Sequence, residues 1–295
     1  MPFLTADIIS SLTVELLVRS LVLPRTVLTV PGREVAGPAG GKVTIRIPVP
    51  RTARVQTTPG ATITVDPVTE NQAEITVRHI YDATRITDED LTLNLENFAR
   101  QVLMPQVAAV AVGAEDELVA LFNSLPADLS FPADPATLDD DAFLRAYEDK
   151  ILEAGEILDN ANVPAGNRYM AVSPSVARRL LRIDKFTRVD ASGERTALRQ
   201  AIIGSLYGFE FVKSNALTAG TAVAYHESAF AFCALPPAAP GGEVSSATAN
   251  RDGVSVRHIM QYNPSTLSVE SVVSVFAGAA VIDADRCVKF DTAES

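Results

Sequence analysis

In three stretches between Val43 and Val77 apolar residues recur at every second position, and prolines break the chain around them. In "KVTIRIPVPR", Val43, Ile45, Ile47 and Val49 alternate with Thr44, Arg46 and Pro48. "ATITVDPV" and "AEITVRHIY" resume the alternation through Ile63 and Val65, then Ile75 and Val77. Successive strand side chains point to opposite faces, so the pattern predicts strands with one apolar side. Pro48, Pro50, Pro59 and Pro67 cannot donate to a sheet ladder and favour edges or bends. The expectation is a long, bent hairpin. Such a hairpin is marginal alone in water and exposes unpaired edges. Either the body of the protein covers it or another subunit does.

The period changes after Ile86. Thr87 with Asp90 three residues on resembles a capping box, and acids cluster in the first turn, where the helix dipole favours them. Leu91, Leu95, Phe98, Val102, Val107, Val110, Leu118 and Leu121 keep a helical rhythm, and Pro105 should kink the helix or start its second half. A further helix is expected with Phe143, Tyr147, Ile151 and Leu152 on one side. In "NVPAGNRYMAVSP" a turn and strand lead to Ser173 as N-cap and Pro174 at the first helical position.

An amphipathic helix is expected over residues 5 to 22, followed by a proline- and glycine-rich arm from Pro24 to Gly41. "QAIIGSLYGFEFVKSNAL" reads as a helix through Ala197, Ile202 and Ile203, stopped by Gly204 and Gly208 before a strand at Phe209 to Val212. Residues 234–253 read as loop, and "VSVRHIMQYN", "TLSVESVVSVFAGAAVI" and "RCVKF" as extended. The fold class is α+β.

Composition narrows the function. The net charge of −11 and the absence of a basic cluster argue against an electrostatic grip on nucleic acid. Arg178, Arg179 and Arg182 are helix-spaced and read as a solvated or interface face. Cys233 and Cys287 lie in apolar runs and read as buried free thiols. "MPFLTADIISSL" lacks the basic start of a signal peptide, and no uncharged run reaches the roughly 18–20 residues of a membrane span. A soluble intracellular protein with no membrane partner is expected.

Chemistry finds little footing. His79, His226 and His258 stand apart, none at metal-ligand spacing with another. His79 fits a surface or cross-strand position. His226 in "AYHES", beside Glu227 and Ser228, is the best candidate for acid–base work, although neighbours in sequence rarely converge. Asp139 to Asp141 lack calcium-loop spacing and read as an acidic helix start. No catalytic, cofactor-binding or metal-binding residue is assigned, no cofactor is expected, and the chain reads as no enzyme.

Four strings in order carry a resemblance: "LTADIISSLTVELLVRSLVLPRTV" at Leu4 to Val27, "ITDEDLTLNLENFARQVLMPQVAAVA" at Ile86 to Ala111, "NVPAGNRYMAVSP" at Asn162 to Pro174 and "GSLYGFEFVKSNAL" at Gly204 to Leu217. The chain resembles the major capsid proteins of tailed bacteriophages, with the HK97-like fold, and looks closest to the actinobacteriophage group related to the P22 coat protein. The resemblance implies an N-arm at residues 1–40, an E-loop at 41–85 and a P-domain at 86–149 with its spine helix at 87–125. An A-domain at 150–250 would follow, and strands at 251–295 would return to the P-domain.

It further implies self-assembly through arm and E-loop into pentamers and hexamers of an icosahedral shell around double-stranded DNA. Location would be the virion capsid, with assembly in the bacterial host cytoplasm. A portal and a decoration protein are further partners, and packaged DNA would be held only by weak, non-specific contact. Some relatives cross-link a hairpin lysine to an asparagine. Here the lysines are Lys42, Lys150, Lys185, Lys213 and Lys289, with none from Arg51 to Glu70, so no cross-link is expected. Some relatives carry a scaffolding segment before the arm. This chain starts with the arm at Met1, so a separate scaffolding protein is expected. An encapsulin-like compartment shell is the first alternative, and a hydrolase using His226 a distant one.

Overall fold

The computed structural model describes residues 22–30, 41–48, 53–60, 62, 65, 67, 70–94, 98–132, 141–183, 202–238, 245–251 and 254–292. A 3-10 turn at Leu23–Thr26 leads into β1 (Leu28–Val30). The hairpin strands β2 (Lys42–Pro48) and β3 (Glu70–Thr76) follow, then β4 (Arg78–Thr87). Two π-helical turns, Asp90–Asn94 and Ala99–Leu103, precede α1 (Met104–Ser124). Next come β5 (Leu129–Phe131), α2 (Asp141–Asn160), β6 (Arg168–Val172) and α3 (Pro174–Leu180). The remainder is extended: β7 (Ile202–Leu206), β8 (Phe209–Lys213), β9 (Ala222–His226), β10 (Phe230–Leu235), β11 (Ser245–Arg251), β12 (Val254–Asn263), β13 (Ser268–Val281) and β14 (Cys287–Thr292).

The large sheet runs β1-β10-β12-β13-β4, with β11 on β12 and β10 also paired to β13. The second sheet runs β5-β14-β9-β6-β8-β7, and β2-β3 stands by itself. On α1, Val107, Val110, Ala114, Leu118 and Phe122 share one buried cluster with Phe230, Phe232, Val273 and Val275 of the large sheet. Ala171, Val223 and Tyr225 of the second sheet complete that cluster. The other face of the second sheet, with Met170, Val172, Phe211 and Ala224, packs on Tyr147, Ile151 and Leu158 of α2 and on Val176 and Leu180 of α3. The switch of Met170, Ala171 and Val172 between clusters is the strand period of two. Each of these large side chains contributes about 1.5–3 kcal/mol by leaving water.

Thr87 caps the helix start: the Asp90 amide donates to Thr87 Oγ1 at 3.2 Å, and that hydroxyl, in place of the Thr87 amide of a full capping box, donates to Asp90 Oδ2 at 2.8 Å. Pro105 stands in the first turn of α1, where its missing N–H costs little, and the wider π turns lie before it. At the other end Lys289 Nζ donates to the carbonyls of Asn123 and Leu125 at 3.0 and 2.9 Å, a cation on the negative end of the helix.

Several expectations are corrected. Ile202 and Ile203 are not helical: β7 and β8 form an antiparallel hairpin with a bulge between Ile202 and Gly204. Its turn is Tyr207-Gly208, with φ of 52° and 82°, the left-handed pair that a two-residue hairpin needs. "SSATANR", read as loop, is β11, paired to β12 along its length. The proline-rich arm holds β1, which pairs in parallel with β10. The β2–β3 hairpin ends at Thr76, and β4 belongs to the large sheet. β10 and β11 also lie in the large sheet, whereas β14 joins β9 of the second, so the terminal strands split between the two. Leu152 is 45% exposed, one residue off the Tyr147–Ile151 stripe and so turned about 100° away. Arg179 is buried, its Nη1 donating to the Tyr147 hydroxyl at 3.1 Å, while Arg178 and Arg182 stay exposed. The helix expected over 5–22 falls, but for Val22, outside the described residues, as do Asp139, Asp140 and Ala197.

Candidate functional site

The hairpin has two unlike faces. Lys42 pairs with Glu74 at 2.6 Å and Arg46 with Glu70 at 3.5 Å across one face. The other face carries Val43, Ile45 and Ile47 opposite Ile75, Ala73 and Asn71. Val43 and Ile75 are buried and join Val30, Ala231 and Cys233 in a small cluster, with Ile45 packed against it. Ile47 is half-buried, and every residue from Ala53 to Gly60 is exposed. A notch fixes the root: a Cβ on Gly278 of β13 would meet the Thr76 carbonyl oxygen at 2.3 Å, so only glycine lets the hairpin cross there. The Val77 amide donates to the Gly41 carbonyl at 2.9 Å and closes the base.

The arm root is held beside it. The Leu23 amide donates to Glu115 Oε1 of α1 at 3.2 Å. Burial raises the Glu115 pKa, and the backbone hydrogen bonds from Leu23 and Val22 oppose that rise. The Thr26 hydroxyl donates to the Leu23 carbonyl at 2.7 Å, which leaves its oxygen to accept from Tyr225. Val30 of β1 lies in the hairpin-root cluster. Arm and hairpin therefore leave the body from one shared core. Close by, Val22, Val112 and Ala216 form the apolar part of a cleft of about 470 Å³, with Glu115, Asp116 and Lys213 at its polar part.

The histidines are structural. His226 and Ser228 do converge, contrary to expectation, but as a cap: Nδ1 accepts from the Ser228 amide at 3.2 Å and lies 2.8 Å from its Oγ. Arg286 Nη1 donates to Ser228 Oγ at 2.7 Å and Nε to Asp283 at 2.8 Å. Burial chiefly lowers the His226 pKa; Glu227 opposes, while Arg286 and Arg168 lower it further. The ring stays neutral at pH 7, as the lock of a one-turn helix. His79 is exposed and lies opposite Phe276, ring centroids 4.7 Å apart, the expected cross-strand place.

Sequence reasoning missed the role of His258. It is buried, its Nε2 lying 3.0 Å from Ser271 Oγ, which donates to Gln106 Oε1 at 2.9 Å. The Gln106 amide returns a bond to the Ser271 carbonyl at 2.9 Å, tying α1 to β13 one residue after Pro105. Burial pushes the His258 pKa down to about 4. The signal was alternation, since Val254, Val256 and His258 share a strand face.

Cys233 is buried and Cys287 half-buried; both are free, and burial raises their pKa to about 12 and about 11. Such thiols are protonated and inert at neutral pH. Among the described residues no group of His, Cys, Asp and Glu could hold a metal ion, and no helix is long and apolar enough to cross a membrane.

A family model described as phage capsid protein matches residues 51–294. No curated protein matches the chain. Among solved structures, one from Mycobacterium phage Che8 is 22% identical with a TM-score of 0.53, over 85% of this chain and 84% of that one. The capsid of Cyanophage P-SCSP1u is 16% identical with a TM-score of 0.60, over 92% and 87%. A virus-like particle from Pyrococcus furiosus is 10% identical with a TM-score of 0.53, over 96% and 97%. At these identities the likeness is one of fold.

Proposed function

This chain belongs to the phage capsid protein family, and from that premise we propose that its copies form the pentamers and hexamers of an icosahedral head around double-stranded phage DNA. It is a major capsid protein of the tailed phages, with the HK97-like fold, a structural protein of the virion shell. The finer reading rests on one observation: a hairpin locked to the body at its root carries its apolar face outward past Ile45. A neighbouring subunit is the cover such a face requires.

The β2–β3 hairpin serves as the E-loop, and the segment up to about residue 40 as the N-arm. The large sheet with α1 serves as the P-domain, its spine being α1 and the π turns. The second sheet with α2 and α3 serves as the A-domain. Assembly takes place in the host cytoplasm with a separate scaffolding protein and a portal, and a decoration protein can join. The acidic chain confines DNA without gripping it. No catalysis is assigned, because His226 is occupied as a cap. The Pyrococcus particle shares the fold, but the family match favours the phage shell over a cellular compartment.

Electron microscopy and sedimentation of the protein, expressed with and without its neighbouring genes, test this. Closed polyhedral particles, or rings of five and six, are expected. A uniform monomer that never assembles, even with its neighbours present, contradicts the reading.

A further inference from the structure

β4 is the outermost strand at its end of the large sheet, 10 residues long and without proline. Its pairing with β13 runs unbroken from Arg78 opposite Ala277 to Thr87 opposite Ser268. One step further, the Asp88 amide donates to the Leu267 carbonyl at 3.1 Å. Antiparallel ladders alternate, so even-numbered residues of β4 turn their N–H and C=O groups to β13 and odd-numbered ones turn theirs outward. Val77 obeys the same parity: its outward amide is taken by Gly41, where β2 begins. From there on the edge is bare. His79, Tyr81, Ala83 and Arg85 are exposed, and among the described residues no hydrogen bond reaches their outward backbone groups. The other edge strands of the two large sheets are shorter, at 3 residues in β1 and β5, 5 in β7 and 7 in β11. Soluble proteins blunt a long edge with prolines or bulges, and β4 has neither.

We propose that this edge pairs with the same edge of a second copy, antiparallel across a two-fold axis at Ala83. The assignment rests on the shell reading above and concerns the sheet body, not the hairpin. A two-fold contact matches a strand to itself, so the sequence of β4 must be self-complementary. With the axis at Ala83 it is. Tyr81 then lies opposite Arg85, His79 opposite Thr87, Ile80 opposite Ile86 and Asp82 opposite Thr84, while Arg78 at one end meets Asp88 at the other. The whole strand overlaps, and no like charges face each other. An axis at Asp82 would set that carboxylate against its own copy, and an axis at Thr84 would set Asp82 against Ile86. Arg78 already holds Glu117 at 3.3 Å, Arg85 holds Glu270 at 3.1 Å and Asp88 accepts from the Tyr262 hydroxyl at 2.8 Å. The contact therefore draws on no spare charge: the backbone supplies its hydrogen bonds, and the side chains only choose the register. In an icosahedral shell two-fold axes relate each subunit to one in the next ring, so a single such edge per subunit suffices.

Ala83→Cys, assembled into shells and then oxidised, tests the axis. Residue 83 meets its own copy there, and hydrogen-bonded antiparallel partners have Cα atoms about 5.5 Å apart, within disulfide reach. A disulfide-linked dimer on a nonreducing gel, with no higher ladder, is the expected result. His79→Cys should stay monomeric, because the register separates its two copies by about 27 Å along the strands. The native Cys233 and Cys287 have pKa values raised by burial and react slowly. Shells without the Ala83→Cys dimer, or with as much dimer from His79→Cys, overturn the pairing and leave the shell reading standing. Failure of the unaltered chain to form shells strikes the shell reading itself. Amide exchange in the unaltered chain is the second measure. In the free subunit the amides of His79, Tyr81, Ala83 and Arg85 should exchange fast and those of Ile80, Asp82 and Thr84 slowly, whereas in the shell both sets should be slow. Odd-numbered amides that exchange as fast in shells as in free subunits overturn the proposal.

Discussion

The root and the outer half of the hairpin carry the same alternating pattern but meet different surroundings. Val43 and Ile75 are 2% and 0% exposed, sealed by Val30 and Cys233 and fixed by the Gly278 notch. Ile47 sits four residues further out, half-buried, and at the tip Val55 stands almost fully in solvent. A strand pattern states that one face will be covered and leaves open by what. At the root the cover is this chain, and beyond it the proposed cover is another copy. Root residues therefore govern the stability of the subunit, and outer residues govern assembly.

The largest separation should come from Ile75→Ala. Removing a fully buried side chain should cost the unassembled subunit about 2–5 kcal/mol in urea unfolding. A loss under about 1 kcal/mol would mean that the root is no core at all. Acid should loosen the body beneath the root by a comparable amount. His258 has its folded pKa lowered to about 4 from 6.5, so its contribution is full above pH 6.5 and is lost as pH falls toward 4. That contribution is up to about 3 kcal/mol, and comparing stability against pH for the native chain and His258→Gln measures it. Equal slopes between pH 4 and 6.5 would remove His258 from the account.

Gly278→Ala comes next, at about 1–3 kcal/mol, because its Cβ meets a backbone oxygen that cannot rotate away. Unchanged stability and normal shells would show the notch to be slack. The smallest effect on the subunit should be that of Ile47→Ala, within about 1 kcal/mol, yet shell yield should fall sharply. If Ile47→Ala costs the free subunit as much as Ile75→Ala, the line between root and outer half disappears.

How far the fold can be read from the chain depends on how local the cause is. The Thr87 cap, the start of α1 around Pro105 and the Ser173–Pro174 entry to α3 are each set within a few residues, and each is present. Tyr207-Gly208 misleads because glycine after an apolar run suits a helix stop and a hairpin turn equally. What separates them is the strand preference of Ile202 and Ile203 and the left-handed φ of Tyr207. β11 has no apolar residue larger than Ala247 and Ala249, and is a strand because β12 offers it an edge. The destination of β14 in the second sheet, the burial of Arg179 on Tyr147 and the Gln106–Ser271–His258 chain all join residues far apart in sequence. No local pattern encodes such pairings. The candidate site was half legible: the alternation marked a face in need of cover, while the cleft draws on three separate stretches and left no mark in any one of them.

Backbone hydrogen exchange, followed in free subunits and in assembled shells, tests the central claim most directly. Residues 43 and 75 should be protected in both states, while the stretches around Ile47 and Val55 should exchange fast in the free subunit and gain protection only in the shell. Outer stretches that exchange equally fast in shell and free subunit would mean that no second copy covers the hairpin, and the account would fail.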